Sequence, residues 1–526
     1  MRALVVHEVL STAARSRGGV SDGVQQLTYE HLYRTTLRLA DSLSKRGVGR
    51  GSVLAVMDVN SVRHLMLHYA SSMLGAVILT VNFRLAPDDM RFAIRHAEAD
   101  WLFVWEGFAP AAGALRAAFP HHWVWLTDGP DSPESSAPSL EELVAAGAER
   151  VPEEARAVHE ADPFSIFYTT GTTGRPKGLR YRHRDMLLAS LGIVNHLALH
   201  RGGASCTADD VFMPAIPFFH IHGWGTVLSV PHLGATLVLP GRAGPAEQLA
   251  LIQRERVTWT NMVPTQVHML LDQADAEGAG LSGLKILTGG SPLPSGLVKR
   301  LRERGIAFSL IYGGSDQLAT SISVVPPGVD PASEEAANAL STDTLPLAMV
   351  DVRLEDDAGQ AVPADGLRIG RLSVRSPWLP EGYFRDPALS AEAYEHGWFK
   401  TGDLARLTPG GALYIVDREG DAVKSGGEWV ATGVLEALIS EHPAVAAVAV
   451  VPRADPRWGT RPVAVVQPRG PVTPEHLRSH LHGAVEAGAL ARYWIPDAFV
   501  FVDALPLTSA GKVDKSALRR MVSPPP

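Results

Sequence analysis

Between Phe167 and Gly178 the chain reads FYTTGTTGRPKG. Thr169, Thr170, Thr172 and Thr173 supply hydroxyls, Gly171 and Gly174 let backbone N–H groups come close to an anion, and Lys177 adds a point charge. These groups suit a phosphate chain. Gly171 and Lys177 keep the spacing of the G-x-x-x-x-G-K-[ST] nucleotide loop, yet Pro176 takes the place of its second glycine and Gly178 that of its Mg²⁺-binding hydroxyl. The stretch therefore reads as a phosphate binder but not as that loop. A flexible Gly/Thr linker is the competing reading. The apolar runs FSIFY ahead of it and DMLLASLGIVNHLAL behind it argue against a linker, and predict a strand-then-helix frame.

Other stretches set polar residues among glycines and aromatics: IPFFHIHGW from Ile216 to Trp224, TGGSPL from Thr288 to Leu293, IYGGSDQLAT from Ile311 to Thr320, GWFKTGDLARL around Asp403, VDREGDAVKSGGEWV with Arg418 and Lys424, and LPLTSAGKVDK with Lys512. Alone, each is weak. The one cysteine, Cys206, lies in the polar stretch RGGASCTADD without a nearby histidine and reads as incidental.

Elements must bring these stretches together. SVLAVMDV, VFMPAIP, TLVLPG, LKILTGG and FSLIYGG are short β-rich runs, most of them ending in Gly or Pro, and amphipathic stretches such as PTQVHMLLDQADA and SGLVKRLRERG lie between them. This rhythm predicts an α/β fold with parallel strands, whose C-terminal ends carry ligand loops. After Gly370 the texture changes to short β-rich pieces, and the last hundred or so residues show a compact α+β pattern, with a boundary near Gly420. With 526 residues, two or more domains are expected. Hydrophobic residues at 46% and charged residues at 20% are an ordinary globular balance, and a net charge of −8 speaks against nucleic acid as a partner. No run is apolar for long enough to predict a membrane span, the start does not read as a signal peptide, and a single cysteine fits the cytoplasm.

The order and spacing of the motifs over nearly the whole chain resemble the adenylate-forming superfamily of acyl-CoA synthetases, luciferases and peptide-synthetase adenylation domains. LTYEHLYRTTLRLADSLSKRGVGRGSVLAV and GAVILTVNFRLAP are similar to that family's opening. The resemblance implies a large N-terminal domain, residues 1–419, of layered α/β subdomains with a β-rich third one, and a small mobile α+β domain, residues 420–526. It implies attack of a carboxylate on Mg²⁺-bound ATP to give acyl-AMP, then attack by the thiol of coenzyme A. Thr169 to Lys177 would cradle the β- and γ-phosphates, and Lys512 would bridge carboxylate and α-phosphate. With His220 these are the groups nearest the chemistry. Asp403 would bind the ribose hydroxyls with support from Arg418, and Tyr312 would lie by the adenine. Gly289, Gly290 and Ser291, with Gly313, Gly314 and Ser315, would line the nucleotide and acyl sites. Lys424, Gly426, Gly427, Glu428 and Trp429 would swing in around the pantetheine arm. Phe219 and His220 would stand at the acyl pocket mouth, next to Gly290 and Gly314. Trp224 resembles an acyl-tunnel gate, and a core tryptophan is the equal alternative. Thr169 and Asp316 would hold Mg²⁺, and the family allows a homodimer.

The pattern departs in two places. Where the family has Y-G-x-T-E, this chain has Tyr312-Gly313-Gly314-Ser315-Asp316, whose carboxylate is one methylene shorter; the hinge position, normally Lys or Asp, is Gly420. Both changes bear on adenylation, or are drift within an active ligase. An imidazole at His220, where amino-acid-activating relatives have an aspartate, disfavours an amino acid substrate. The leading expectation is an AMP-forming acyl-CoA ligase. Its rivals are a half-ligase that takes ready-made acyl-AMP, an acyl-AMP ligase loading a carrier protein, a luciferase-like oxygenase, and a catalytically inactive nucleotide or acyl-CoA sensor.

Overall fold

Two sheets of the large domain meet at the candidate site. The computed structural model describes residues 3–118, 122–128, 137–169, 175–291, 293–426, 428–486, 490–507 and 513–523. The first sheet has six strands, in spatial order His122–Leu126, Trp101–Trp105, Val53–Met57, Val77–Thr80, Pro163–Thr169 and Lys177–Arg182. Its first five run parallel. Val53–Met57 is buried at every residue, as a strand covered by helices on both faces must be. Helix Val62–Leu74 covers it. Ser61 caps that helix by accepting from His64 N, and Gly75, at φ 66°, ends it in the left-handed conformation. Residues His64 to Leu74 are all buried, so histidines and serines sit inside the core with the leucines.

The sixth strand corrects the frame expected around the phosphate loop. Lys177–Arg182 pairs antiparallel with Pro163–Thr169, with Thr169 opposite Lys177. The chain thus makes a hairpin before helix His183–Leu199, so Lys177 stands on a strand rather than at a helix N-terminus. Leu179 and Tyr181 point inward, and Arg180 is exposed. The loop residues Thr170, Gly171, Thr172, Thr173 and Gly174 lie outside the described residues.

The second sheet has fourteen strands. Val211–Pro214, Trp259–Met262, Lys285–Gly289 and Ala307–Gly314 run parallel, in the order the α/β rhythm calls for. At Leu318–Ile322 the pairing turns antiparallel and stays so through Asp343–Pro346, Leu413–Arg418, Trp398–Leu407, Gly370–Arg375 and Asp351–Glu355. The β-rich part therefore begins well before Gly370 in the chain, and one of its strands spans ten residues. It continues the α/β sheet edge to edge. The seam between the two pairing modes is the stretch IYGGSDQLAT.

From Val423 onward a five-stranded sheet with helices Thr432–Ser440, Pro474–Glu486 and Lys515–Val522 forms a smaller domain. Val423, Leu435, Ile439, Val450, Val466, Leu477 and Leu481 build its core. Leu404, Val416, Ala422 and Ala431 make a separate apolar cluster at its junction with the large domain. Among the described residues no helix is long and apolar enough to cross a membrane.

Candidate active site

The strand ends of both sheets open onto one cleft of 3590 Å³, which also takes in a face of the small domain. A pocket for a single small ligand is about 300–1,000 Å³, so this space accommodates several substrates at once. Thr169, Lys177, His220, Trp224, Gly290, Ser291, Tyr312, Gly313, Gly314, Ser315, Asp316, Asp403 and Arg418 all line it.

The corner expected to take the nucleotide is built from three strands. Tyr312 closes Ala307–Gly314, Asp403 sits in Trp398–Leu407, and Arg418 ends Leu413–Arg418 directly opposite Asp403 in register. Tyr312 OH donates to Asp403 Oδ2 at 2.5 Å, and Arg418 Nε lies 3.2 Å from Asp403 Oδ1. Burial, reinforced by the Asp403 charge, raises the Tyr312 pKa well above the ordinary phenol value, so it remains a donor. Asp403 is only 6% exposed. A carboxylate has about four acceptor sites, so both oxygens keep capacity for a further hydroxyl. Gly313 is forced by packing: a Cβ there would stand 2.2 Å from Leu318 O, where the register of the strand pair shifts. Gly289 does not line the cleft; a Cβ on it would meet Ile311 O at 2.5 Å, so it lets the two strands close up beneath the site.

Three phenols that sequence reasoning missed hold the next two residues. Tyr181 OH donates to Ser315 O at 2.5 Å, Tyr394 OH to Asp316 O at 2.7 Å, and Tyr383 OH to Asp316 Oδ1 at 2.7 Å. Phe384 N donates to Gly178 O at 2.8 Å, which ties the Tyr383 segment to the hairpin of Pro163–Thr169 and Lys177–Arg182. Lys177 Nζ consequently lies 5.1 Å from the Tyr383 ring centroid, within cation–π reach. Burial raises the pKa of all three phenols. Asp316 and Thr169 offer hard oxygen donors, and among the described residues there is no cluster of three or more His, Cys, Asp or Glu able to hold a metal. That donor set fits Mg²⁺, which is commonly held by one or two carboxylates together with substrate phosphates.

The side expected to take the acyl group rests on an unusual piece of backbone. Ile221, His222, Gly223, Trp224 and Gly225 have φ of 49°, 53°, 62°, 56° and 81°, one turn of left-handed helix. Three of the five are not glycine, a cost of about 3–6 kcal/mol at roughly 1–2 kcal/mol each. Its own ladder offsets part of this: His222 N bonds Phe218 O at 2.9 Å, Trp224 N bonds His220 O at 3.1 Å and Gly225 N bonds Ile221 O at 2.9 Å. Gly223 O accepts from Asn261 Nδ2 at 2.8 Å and Thr226 Oγ1 at 3.0 Å. The turn presents Ile221 and Trp224 to the cleft and leaves His222 fully buried. Trp224 is half-buried and packs against the large-domain core, and a Cβ on Gly289 would meet its indole at 3.4 Å. Phe219, expected at the pocket mouth, is 4% exposed and stands behind the lining, edge-on to Phe83 with ring centroids 4.9 Å apart.

The segment expected to meet coenzyme A is a hairpin, Val423–Ser425 with Glu428–Val430, that does not line the cleft. Lys424 Nζ bonds Asp357 Oδ2 at 2.8 Å and lies 4.7 Å from the Trp429 ring centroid. Gly426 is left-handed at φ 63°, and a Cβ there would press on Trp458 at 3.1 Å. Gly427, the Glu428 side chain and Lys512 lie outside what the structure describes. Cys206 is buried, which pushes its thiol up to about 12 and leaves it unreactive.

Residues 10–384 match the AMP-binding enzyme family and residues 434–512 match the AMP-binding enzyme C-terminal domain. A long-chain-fatty-acid–CoA ligase of Thermus thermophilus is 36% identical over 506 residues, covering 94% of this chain and 90% of that protein. A 3-methylmercaptopropionyl-CoA ligase of Ruegeria pomeroyi is 33% identical, covering 98% and 97%. Among solved structures, an amide bond synthetase from Marinactinospora thermotolerans superposes with a TM-score of 0.84 at 25% identity, covering 99% of this chain and all of that one. Family match and near full-length relatives agree: the chain belongs to the AMP-binding enzymes, as a member of the adenylate-forming superfamily in its acyl-CoA synthetase branch.

Proposed function

We propose that this enzyme converts a non-amino-acid carboxylic acid to its coenzyme A thioester through an acyl-AMP intermediate, with the roles assigned below. The observation that carries the proposal is the single cleft that collects Thr169, Lys177, Tyr312, Asp316, Asp403, Arg418, His220 and Trp224. A carboxylate oxygen attacks the α-phosphorus of ATP as its bond to pyrophosphate breaks. The thiol of coenzyme A then attacks the acyl carbonyl, and AMP leaves with the bonding pair of the acyl–oxygen bond. Asp403 accepts from the ribose hydroxyls, while Tyr312 and Arg418 hold that carboxylate in place. The phosphate hairpin, with Lys177, binds the pyrophosphate end. Lys512 neutralises the approaching carboxylate and α-phosphate, a task worth about 3–4 kcal/mol for one well-placed donor. Thr169 and Asp316 would hold Mg²⁺, which would supply charge neutralisation on the phosphates. Residues 420–526 turn about Gly420 between the two half-reactions, bringing the Lys424–Trp429 hairpin to the acyl-AMP.

His220, Ile221, Trp224 and Phe83, none of which carries a carboxylate to hold an ammonium, line the cleft, which favours fatty or aryl acids. We place the enzyme in the cytoplasm, in keeping with its single, buried cysteine, and take a homodimer as the assembly to be tested by light scattering. A second reading, weak adenylation with competent thioesterification, is favoured by one observation: Asp316 Oδ1 is engaged by Tyr383, so a shortened carboxylate is also held back. Acid-dependent ATP–pyrophosphate exchange, with acyl-CoA read by mass spectrometry over fatty, aromatic and polycyclic acids, tests both. Absence of any thioester from acid or from acyl-AMP refutes the proposal. Exchange near the enzyme median of about 10 per second refutes the second reading.

A further inference from the structure

Behind the left-handed turn runs a row of buried histidines with no part in the chemistry assigned above. His64, His68 and His222 are each 0% exposed. Their protons can be placed from their partners. His64 Nδ1 faces Val59 O at 3.2 Å and His68 Nδ1 faces His64 O at 2.7 Å. A carbonyl only accepts, so both Nδ1 atoms carry hydrogen. Burial pushes all three imidazoles down, His64 to about 3, so they are neutral and have one N–H each. His68 Nε2 is then a bare acceptor. It lies 2.7 Å from His222 Nδ1, which must therefore donate to it. His222 Nε2 keeps its lone pair and has no hydrogen-bond partner among the described residues. The His68 and His222 rings meet edge to face at 4.5 Å between centroids, with Phe167 4.7 Å away on another side.

His222 is the second residue of the left-handed turn and the only one of the five whose side chain is tied by a hydrogen bond to helix Val62–Leu74. Its neighbours Ile221 and Trp224 face the cleft. We propose that His68 is a positioning residue: through its bond to His222 it holds the left-handed turn in register, and so decides which acyl groups fit against Ile221 and Trp224. The part concerning acyl groups rests on the acyl-CoA ligase reading; the part concerning the turn does not.

Two measurements on the full chain separate these. Hydrogen–deuterium exchange of peptides covering residues 218–228 reports the turn. Relative kcat/KM over straight-chain acids of increasing length, with AMP affinity alongside, reports selectivity. His68→Leu removes the acceptor, and we expect at least tenfold faster exchange in those peptides. We also expect at least a tenfold change in the ratio between the best short and best long acid, with AMP affinity within threefold of wild type. His222→Asn keeps a donor near the Nδ1 position on a residue type that accepts left-handed backbone, and should hold both readouts within threefold. His222→Leu removes the donor, and the double variant His68→Leu, His222→Leu should be no worse than the poorer of the two single leucine variants, because each breaks the same bond. If His68→Leu does not fold, His68→Asn, too short to reach His222, gives the same readouts. Wild-type exchange or an unchanged acid ratio in the folded His68 variant overturns the proposal, as does equally faster exchange throughout both sheets. A wild type that makes no thioester refutes the ligase reading instead, and the exchange data alone then decide whether His68 holds the turn.

Discussion

Replacing Lys515 by Met should loosen the small domain from the large one, more at high pH than at low. Lys515 Nζ lies 3.0 Å from Glu436 Oε1 and 3.4 Å from Asp417 Oδ2, and Thr432 Oγ1 donates to the same Asp417. Asp417 belongs to strand Leu413–Arg418 of the large domain; the other three belong to the small one. Removing one partner of a buried pair costs about 3–5 kcal/mol. Lys515 retains 18% exposure, so the lower figure applies, and about 3 kcal/mol is more than a hundredfold in an equilibrium. The pH dependence follows from Glu436. Burial holds its pKa above the ordinary 4.5, Asp417 adds to this, and Lys515 opposes it. Without Lys515 the carboxyl rises further. The closed arrangement then binds more protons than the open one, so its stability is full below about 4.5 and is lost as pH climbs through the raised value. Dyes on cysteines introduced at the exposed Met349 and Met521 read the domain arrangement, since buried Cys206 resists labelling. A second energy-transfer state should appear in Lys515→Met at pH 8 and recede at pH 5. One state at both pH values, identical to wild type, refutes the reasoning.

Asp403→Ala should weaken AMP binding tenfold or more by calorimetry, because hydrogen bonds to a charged group are worth about 1.5–3 kcal/mol; unchanged affinity removes Asp403 from the nucleotide site. Lys512→Ala should abolish acyl-AMP formation and spare conversion of supplied acyl-AMP to acyl-CoA. Equal loss in both half-reactions would count against its assigned role. Asp316→Glu should raise ATP–pyrophosphate exchange while changing thioesterification little, and a drop in exchange would show that the shorter carboxylate is the fitted one.

Periodicity carried most of the strands and helices: LKILTGG, FSLIYGG and SGLVKRLRERG became Lys285–Gly289, Ala307–Gly314 and Ser295–Glu303. It failed at KGLRYR because the outward Lys and Arg residues and one glycine hide a two-residue alternation in which only Leu179 and Tyr181 are apolar and inward. The motifs located Tyr312, Asp403 and Arg418, which the strands bring together. Their supports were not legible. Tyr181, Tyr383 and Tyr394 act from separate elements, and the residues of the His68–His222 pair are 154 positions apart. HIHGWG contains two glycines, yet nothing local says that Ile221, His222 and Trp224 share their backbone hand. Tertiary bonds such as Asn261 to Gly223 O impose it.

The phenols around Ser315 and Asp316 bear on how this site can evolve. Two of the three grip main-chain carbonyls, which every amino acid possesses. The path of the segment is thus written in residues elsewhere in the chain, and its own side chains are left as exchangeable parts. A lineage can shorten the carboxylate at 316 or trim the methyl from a threonine at 315 without moving the backbone on which the next substitution must be tried. Catalytic tuning there proceeds by single steps rather than by coordinated changes, and the tyrosines are where drift would be punished.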